Sequence, residues 1–556
     1  MASPVTKKYA LLLAVLALGA LRRADAHPAG PAPLHITIPA PDGTPLAATV
    51  FRTGLETPVI VAGHGSAKAR LKDLDDAETV PDRVVRALVE AGFNVVTYDR
   101  RGFGDSGGEG QFGDPALDGG DLNAVLDRIA EGALVPQARR GPDGRLVLGY
   151  SAYSMGADPV ALMTTDRFGA MLLGISFSDM TDAMAPGGKP YQGWLTALLL
   201  LSRRQDSVIS RDIRRLTLRG LRQRALARMP EAQAFLRERS LDCAAVKATD
   251  AAVLLMPGVN DTLYPLNHAA RTFRCLRDTH GQDVRLVSQE KGHIIPGEVR
   301  GGRGLLNAIW PVENGFTVAQ LEGRMSEAVY CPEAIGTPEL AVRWFAAHLA
   351  PELAEPLALP PVCLSVGAEA GVVLSDLPSP GAPLPFEGVA VQVSNADLTA
   401  DALSRRARRP GVDAPVFVPL VDVAEARALA GIPRVSLRFD ERSAREARLR
   451  KLAVFVGIGV RRAGEVRVLN GQWQPFLING GPYEDAELRG VGALLAPGDT
   501  VGLVISGHDV FFDGGAILTR GGIDKARVTI AGAVALPRLP PWGDSTLLIP
   551  NQRIPR

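Results

Sequence analysis

Gly149-Tyr150-Ser151-Ala152-Tyr153-Ser154-Met155-Gly156-Ala157 follows a strand-like segment, Arg145 to Leu148, and leads toward a helix. A serine on a sharp strand-to-helix turn has its hydroxyl lifted clear of the backbone, and the next amide and the helix start face any oxyanion formed there. Small residues on both sides let such a turn close. The usual pattern is G-x-S-x-G. With Ser154 as its serine, Gly156 keeps the second glycine and Ala152 replaces the first. Ser151 is the rival, because Gly149 then supplies the first glycine, but Tyr153 would occupy the crowded second position. The Ser151 register also drives Pro159 deeper into the following helix, where proline costs about 3 kcal/mol, whereas after Ser154 it falls near the first turn. Ser154 is therefore preferred and Ser151 stays as the alternative nucleophile.

Around this turn lies a chain of 556 residues, 46% apolar, with 59 Gly and 42 Pro, long enough for two to four domains with ample core. A formal net charge of +1 gives no overall pull toward nucleic acid or acidic lipid. The arginine clusters at 203–204, 214–215 and 405–409 read as solvated faces. Lys7-Lys8, the apolar segment Tyr9 to Leu21 and Ala24-Asp25-Ala26 together have the form of a secretory signal. The mature chain is expected to begin near His27, in a secreted or periplasmic and oxidising setting, without stable membrane association. There Cys243, Cys275, Cys331 and Cys363 can form up to two disulfides, in a pairing that sequence leaves open. Their spacing holds no close C-x-x-C pair, and no phosphate loop, dinucleotide fingerprint or metal cluster is found. Glycine-rich pieces such as Gly301 to Gly304 lack the required strand and helix. No cofactor and no metal is expected.

From about Leu34 to Leu349 strand and helix signals alternate as in an open, mostly parallel sheet. His35–Ile38 and Leu46–Phe51 predict an opening hairpin. Val59–Ala62, Asn94–Tyr98, Ala170–Ile175, Ala252–Met256 and Val284–Val287 predict covered strands. Val80, Val84, Leu88 and Ala91, and likewise Leu122, Val125, Leu126 and Ile129, recur with helical period. Between about 181 and 246 the alternation gives way to helical sequence, read as a cap over the strand ends that governs substrate entry.

Parallel sheets place working residues at the carboxyl ends of their strands. Asp261 lies just past the strand at 252–256, and His293 just past the one at 284–287. His293 is suited to take the Ser154 proton and return it to a leaving group, with Asp261 holding the imidazole tautomer. His64-Gly65-Ser66 closes the strand at Val59–Ala62, so the amides of Ser66 and Met155 are the expected oxyanion donors. His64 is expected to be structural, as is the glycine-rich loop Tyr98 to Ser106, Asp99 included.

Through His64-Gly65, Tyr98 to Ser106, the serine turn, Asp261 and His293, the chain resembles the α/β-hydrolase superfamily, whose order of serine, acid and histidine it shares. More narrowly it resembles the X-Pro dipeptidyl-peptidase and cocaine-esterase family, whose turn reads V-G-x-x-G-x-S-Y-x-G against Leu148 to Ala157 here. Beyond the Pro-rich boundary 351–361 come short strands, Val435–Phe439, Leu452–Ile458 and Val501–Ile505, where the resemblance implies a jelly roll with Trp473 and His508 as candidates for a ligand face. The organisation expected is a signal peptide (1–26), an α/β-hydrolase domain with a doubly wound, mostly parallel sheet (27–350, cap about 181–246), a linker (351–370), an all-β sandwich (371–540) and a tail (541–556). That family commonly places a tyrosine in its oxyanion hole, and His64 to Lys68 contains none. Nor is a carboxylate pair for a substrate's free amino terminus identifiable. A secreted serine hydrolase of carboxylic esters, and of amides in the wider class, is the expected function, acting on a small ester or short peptide. X-Pro dipeptidyl-peptidase and amino-ester hydrolase or acylase are the alternatives within that class, and an inert secreted ligand-binding protein the alternative outside it.

Overall fold

The computed structural model describes residues 32–293 apart from 67, 205 and 206; 328–538 apart from 332, 356, 368, 396–414, 479–481, 508, 510–511 and 513–523; and 546–548. The signal-like segment 1–26, Gly301 to Gly304, Arg405 to Arg409 and His508 lie outside the described residues, as do the side chains of Arg203 and Arg204.

Apolar runs without polar alternation suit strands covered on both faces, and they build a sheet of eleven strands. Its first members are β1 (Leu34–Pro39), β2 (Pro45–Phe51), β3 (Val59–Gly63), β4 (Asn94–Tyr98), β5 (Leu148–Tyr153), β6 (Phe168–Gly174), β7 (Ala252–Met256) and β8 (Val284–Val287). They stand in the order β1-β2-β4-β3-β5-β6-β7-β8. The hairpin β1–β2 is antiparallel, as is the pairing of β2 with β4, and β3 to β8 run parallel to one another.

Helices cover both faces. On one lies α1 (Val80–Glu90), begun by a capping box between Thr79 and Asp82, with Val80, Val84 and Leu88 turned inward. The other face carries α2 (Leu117–Ala130), with Leu122, Val125, Leu126 and Ile129 buried, and the short α3 (Val160–Thr164). The elbow strand itself begins at Leu148, so Ser151 and Tyr153 are strand residues. Of the expected strand segment, Arg145 and Leu146 instead run beside Arg140 and Gly141, and Val147 is divided, donating to the Arg139 carbonyl while its own carbonyl accepts from Val59 of β3.

Between β6 and β7 the chain is helical: α4 (Met180–Met184), α5 (Gln192–Arg204), α6 (Arg211–Gly220) and α7 (Pro230–Glu238). In α6 the apolar positions Ile213 and Leu216 face inward, whereas Arg215 and Arg219 face water and bond Glu231 of α7 at 2.8 and 2.9 Å. After β7 come α8 (Leu266–Arg274), a small hairpin of β9 (Ala328–Tyr330) and β10 (Ala334–Gly336), and α9 (Thr337–Leu349), which packs beside α1.

The segment expected as a linker differs. Val362–Gly367 (β11) pairs in parallel with β8, and Ala370–Leu374 (β12) turns back along it, so both extend the hydrolase sheet. Burial decides this: Val362, Leu364 and Val372 sit in the core that β8 would otherwise leave uncovered. Thr546–Leu548, placed in the expected tail, pairs with β12. Cys243 is joined to Cys275 and Cys331 to Cys363.

The C-terminal part is antiparallel and has its own core. One sheet orders Leu384–Asn395, Asp524–Ala535, Arg434–Phe439 and Tyr483–Glu487; another joins Val416–Asp422, Thr500–Ser506 and Ala453–Arg462 with the short strands Glu465–Val468 and Gln474–Leu477. The two form a β-sandwich. A helix without a counterpart in the sequence reading, α10 (Glu441–Arg450), closes one side. Phe455, Leu477 and Phe512 of the sandwich join the core of the helical insertion, where Phe512 stacks on Tyr191 at 4.1 Å. Trp473 packs partly buried against that cluster. Among the described residues no helix is long and apolar enough to cross a membrane.

Candidate active site

Ser154 stands immediately beyond β5, at the start of a 3-10 turn (Ser154–Ala157), with φ of 56°. A non-glycine residue in the left-handed region is held there by its surroundings and is a mark of functional turns. Two hydrogen bonds and a proline hold this one. Arg100 donates to the Met155 carbonyl at 2.7 Å, Tyr150 Oη donates to the Gly156 carbonyl at 2.6 Å, and Pro159 with φ of −65° leads into α3. A methyl group on Gly156 would meet the His64 carbonyl oxygen at 2.6 Å, so only glycine lets β3 approach the turn this closely. Ala152, the departure from the glycine pattern, is wholly buried opposite Gly63 of β3. A side chain on Gly63 would press on the Ala152 methyl at 3.2 Å, so the space that a glycine at 152 would leave is supplied by the partner strand.

His293 reaches the turn from the loop after β8. Its Nδ1 lies 2.8 Å from Asp261 Oδ2, and its Nε2 lies 2.7 Å from Ser154 Oγ. A carboxylate beside Nδ1 places the proton on that nitrogen, which leaves Nε2 free to accept the hydroxyl proton of Ser154. Asp261 is fully buried, and its other oxygen accepts from the amides of Leu263 and Tyr264, both at 2.9 Å. The carboxylate is thus fixed by the start of its own turn. The structure brings Ser154, His293 and Asp261 together; Ser151 remains inside β5, paired with Ala62 and Leu172.

Met155 is the second residue of the 3-10 turn, where a backbone amide has no partner within the turn. Ser66 lines the same cavity, and its buried hydroxyl has no hydrogen-bond partner. His64 is engaged structurally: Nε2 accepts from the Arg100 amide at 3.0 Å, so Nδ1 carries the proton and donates to the Gly65 carbonyl at 2.8 Å. Burial lowers its pKa, favouring the neutral ring that this bonding needs. Asp99 is likewise committed, accepting from the amides of Arg70 and Asp105 and pairing with the Arg70 guanidinium.

Sequence reasoning missed the residues that support this arrangement. Arg100 spans Met155, Asp158 at 2.6 Å and Asp118 at 3.1 Å, joining three segments under the turn. Its signal was visible in Tyr98 to Ser106, but its partners were not. Trp194 of α5 donates to Thr262 Oγ1 at 3.2 Å, and Thr262 in turn donates from its amide and hydroxyl to the His293 carbonyl, both at 3.0 Å. From the sandwich, buried Gln472 donates to the carbonyls of Asp261 at 2.9 Å and Val259 at 3.2 Å. No local pattern marks a glutamine 211 residues from its partner.

Above Ser154 and His293 opens a cavity of about 700 Å³. Its floor is the ends of β3 and β5, and its roof and far wall come from α4 to α7.

Residues 42–295 match the model of the X-Pro dipeptidyl-peptidase (S15) family. Among solved structures, a CocE/NonD family hydrolase from Staphylococcus aureus is similar at 15% identity and a TM-score of 0.56, over 90% of this chain and 93% of that one. An aminopeptidase from a marine sediment Thaumarchaeota archaeon is similar at 13% identity and 0.58, over 91% and 96%. An alpha-amino acid ester hydrolase is similar at 15% identity and 0.57, over 92% and 97%. These structural likenesses establish the fold, sheet and sandwich together. A search of curated protein sequences returns no match.

Proposed function

Because the chain is an X-Pro dipeptidyl-peptidase/cocaine esterase-like α/β-hydrolase, and so a serine hydrolase of esters or peptides, we propose that it cleaves carboxylic esters through an acyl-enzyme formed on Ser154. In this reading Ser154 Oγ attacks the ester carbonyl while His293 Nε2 takes its proton. The amides of Met155 and Ser66 receive the developing oxyanion, each such donor being worth roughly 3 to 4 kcal/mol in comparable sites. His293 then protonates the departing alcohol, and a water activated by the same nitrogen releases the acid. Asp261 keeps the imidazole in its working tautomer throughout.

The observation that carries the proposal is the continuous relay from Ser154 Oγ through His293 to Asp261, at 2.7 and 2.8 Å, on the floor of a cavity. Preference for esters over X-Pro peptides rests on the cavity's acids. Recognition of a free amino terminus needs carboxylates placed near the nucleophile. Among the described lining residues only Glu78 and Asp82 are acidic; they belong to the start of α1, and Asp82 is engaged by Thr79. Export to an oxidising compartment is part of the proposal, supported by the N-terminal segment and the two cystine pairs.

The test is hydrolysis of p-nitrophenyl acyl esters against Gly-Pro and Ala-Pro p-nitroanilides by the wild type, Ser154→Ala and Ser151→Ala proteins. Ester turnover abolished only in Ser154→Ala is the expected result. Faster turnover of the proline anilides transfers the assignment to a peptidase, and loss only in Ser151→Ala moves the nucleophile. Absence of fluorophosphonate labelling on folded protein refutes an enzyme and leaves a binding protein.

A further inference from the structure

Resting on the ester-hydrolase reading, we infer that the cavity beneath α4 to α7 is a hydrocarbon-chain site, and that the preferred substrates are esters of medium-length, uncharged acyl chains.

The wall opposite Ser154 offers almost nothing to a polar group. Met184, Leu198, Ile213, Leu216, Met229 and Phe235 face the space. The hydroxyls on this wall are already engaged. Ser202 Oγ donates to the Leu198 carbonyl at 2.8 Å and Thr217 Oγ1 to the Ile213 carbonyl at 2.7 Å. Each is folded back on its own helix and presents carbon to the cavity. The amphipathic α6 repeats the division, since Arg215 and Arg219 lie on the outer face and pair with Glu231. An apolar stripe of this kind ordinarily buries itself in a core; here it borders about 700 Å³ of unfilled space continuous with the nucleophile.

Polarity is confined to the other end. Lys68, Glu78 and Arg83 stand at the rim contributed by the β3 loop and the start of α1. Arg70, also in the lining, is committed to Asp99 and Thr49. A ligand with one polar end and a hydrocarbon body fits this gradient, with its carbonyl at Ser154, its chain under the helices and its alcohol portion toward the rim. A charged α-amino group or a dipeptide backbone would lose its hydration against this wall and gain no partner.

Each buried methylene contributes about 0.8 kcal/mol, which corresponds to roughly a fourfold gain per carbon. The inference therefore requires kcat/KM on p-nitrophenyl esters to climb about fourfold per methylene from acetate through at least hexanoate, and to fall once the chain outgrows the cavity. Leu198→Trp, which adds bulk to the apolar lining, should lower the octanoate-to-acetate ratio at least tenfold and move the optimum to shorter chains. A second readout removes hydrolysis. Butyrate, hexanoate and octanoate are titrated by calorimetry into Ser154→Ala protein, where affinity should rise with length and the rise should be lost in Ser154→Ala/Leu198→Trp. A Ser154-dependent esterase with a flat or falling chain-length profile overturns the chain site and leaves the ester-hydrolase reading standing. No ester turnover, with carboxylate binding that still strengthens with length, upholds the site and overturns that reading. Carboxylate binding independent of length overturns the site whatever the kinetics.

Discussion

Substitution of Gly156 by alanine perturbs the close approach of β3 to the turn that sets the position of Ser154, the proposed nucleophile. The added methyl would stand 2.6 Å from the His64 carbonyl oxygen and 2.8 Å from the Gly63 carbonyl carbon. Both obstacles are backbone at the end of a strand paired on each side, so no rotamer change relieves them. Reaching the 3.4 Å at which ordinary contact begins requires about 0.8 Å of separation between the turn and the strand. Added to the 2.7 Å between Ser154 Oγ and His293 Nε2, a displacement of that size stretches the bond to the limit at which it still orients a proton. Misplacement on this scale costs on the order of 100-fold in rate, and overpacking a filled site costs about 1 to 3 kcal/mol of stability. We expect kcat on p-nitrophenyl butyrate to fall roughly 30- to 100-fold with KM changed severalfold at most. Steady-state kinetics should be paired with fluorophosphonate titration, which counts competent sites, and with thermal melts. Gly120→Ala is the control: it lies in α2, and its methyl would find only Pro41 at 3.6 Å. Wild-type kcat per titrated site in Gly156→Ala would refute the reasoning, as would a loss accounted for entirely by unfolded protein.

Three further outcomes follow from the supporting network. Gln472→Ala leaves the carbonyls of Asp261 and Val259 without their donor; at about 1 to 3 kcal/mol for an orphaned buried group, kcat should drop around tenfold at little-changed KM, and unchanged kcat in kinetic assays removes the sandwich from positioning the acid. Arg100→Met leaves Asp118 and Asp158 as unpaired buried carboxylates, so urea unfolding should register a loss of about 3 to 5 kcal/mol, and a loss below 1 kcal/mol contradicts the role given to Arg100. Burial, only partly offset by Asp182, lowers His268 from its ordinary 6.5 to about 3. Below pH 6.5 the unfolded chain binds a proton that the folded one refuses, so stability falls as pH drops from 6.5 toward 3, by up to about 1.4 kcal/mol per unit. His268→Gln, which cannot titrate, should flatten that slope in urea melts at pH 7, 5 and 4; an unaltered slope excludes His268 as its source.

Much of the site was legible because its chemistry is local to strand ends. Ser154, Asp261 and His293 each follow a recognisable buried strand, and parallel packing brings the carboxyl ends of those strands to one edge. The opening hairpin and the helical faces of Val80 to Leu88 and Leu122 to Ile129 were legible for a related reason: periodicity records which side of an element is buried. Where periodicity is silent, pairing partners decide the outcome. Arg145 and Leu146 carry strand-like residues but pair with Gly141 and Arg140 outside the sheet, and Val362–Gly367, beyond a proline-rich stretch, reads as a linker until β8 supplies a partner.

By itself, then, the chain's sequence marked a candidate serine on a turn, a candidate acid and histidine after it in chain order, and a parallel sheet to carry them, since each is written in a few consecutive residues. Tertiary structure alone decided which serine meets the histidine, why Ala152 is tolerated, and which distant side chains support the acid. Gly63 lies 89 residues from Ala152 in the chain and opposite it in the sheet, and Gln472 reaches Asp261 from another domain. Such contacts depend on how independently formed elements pack, and no short window of sequence records the shape of a partner that folding brings from elsewhere.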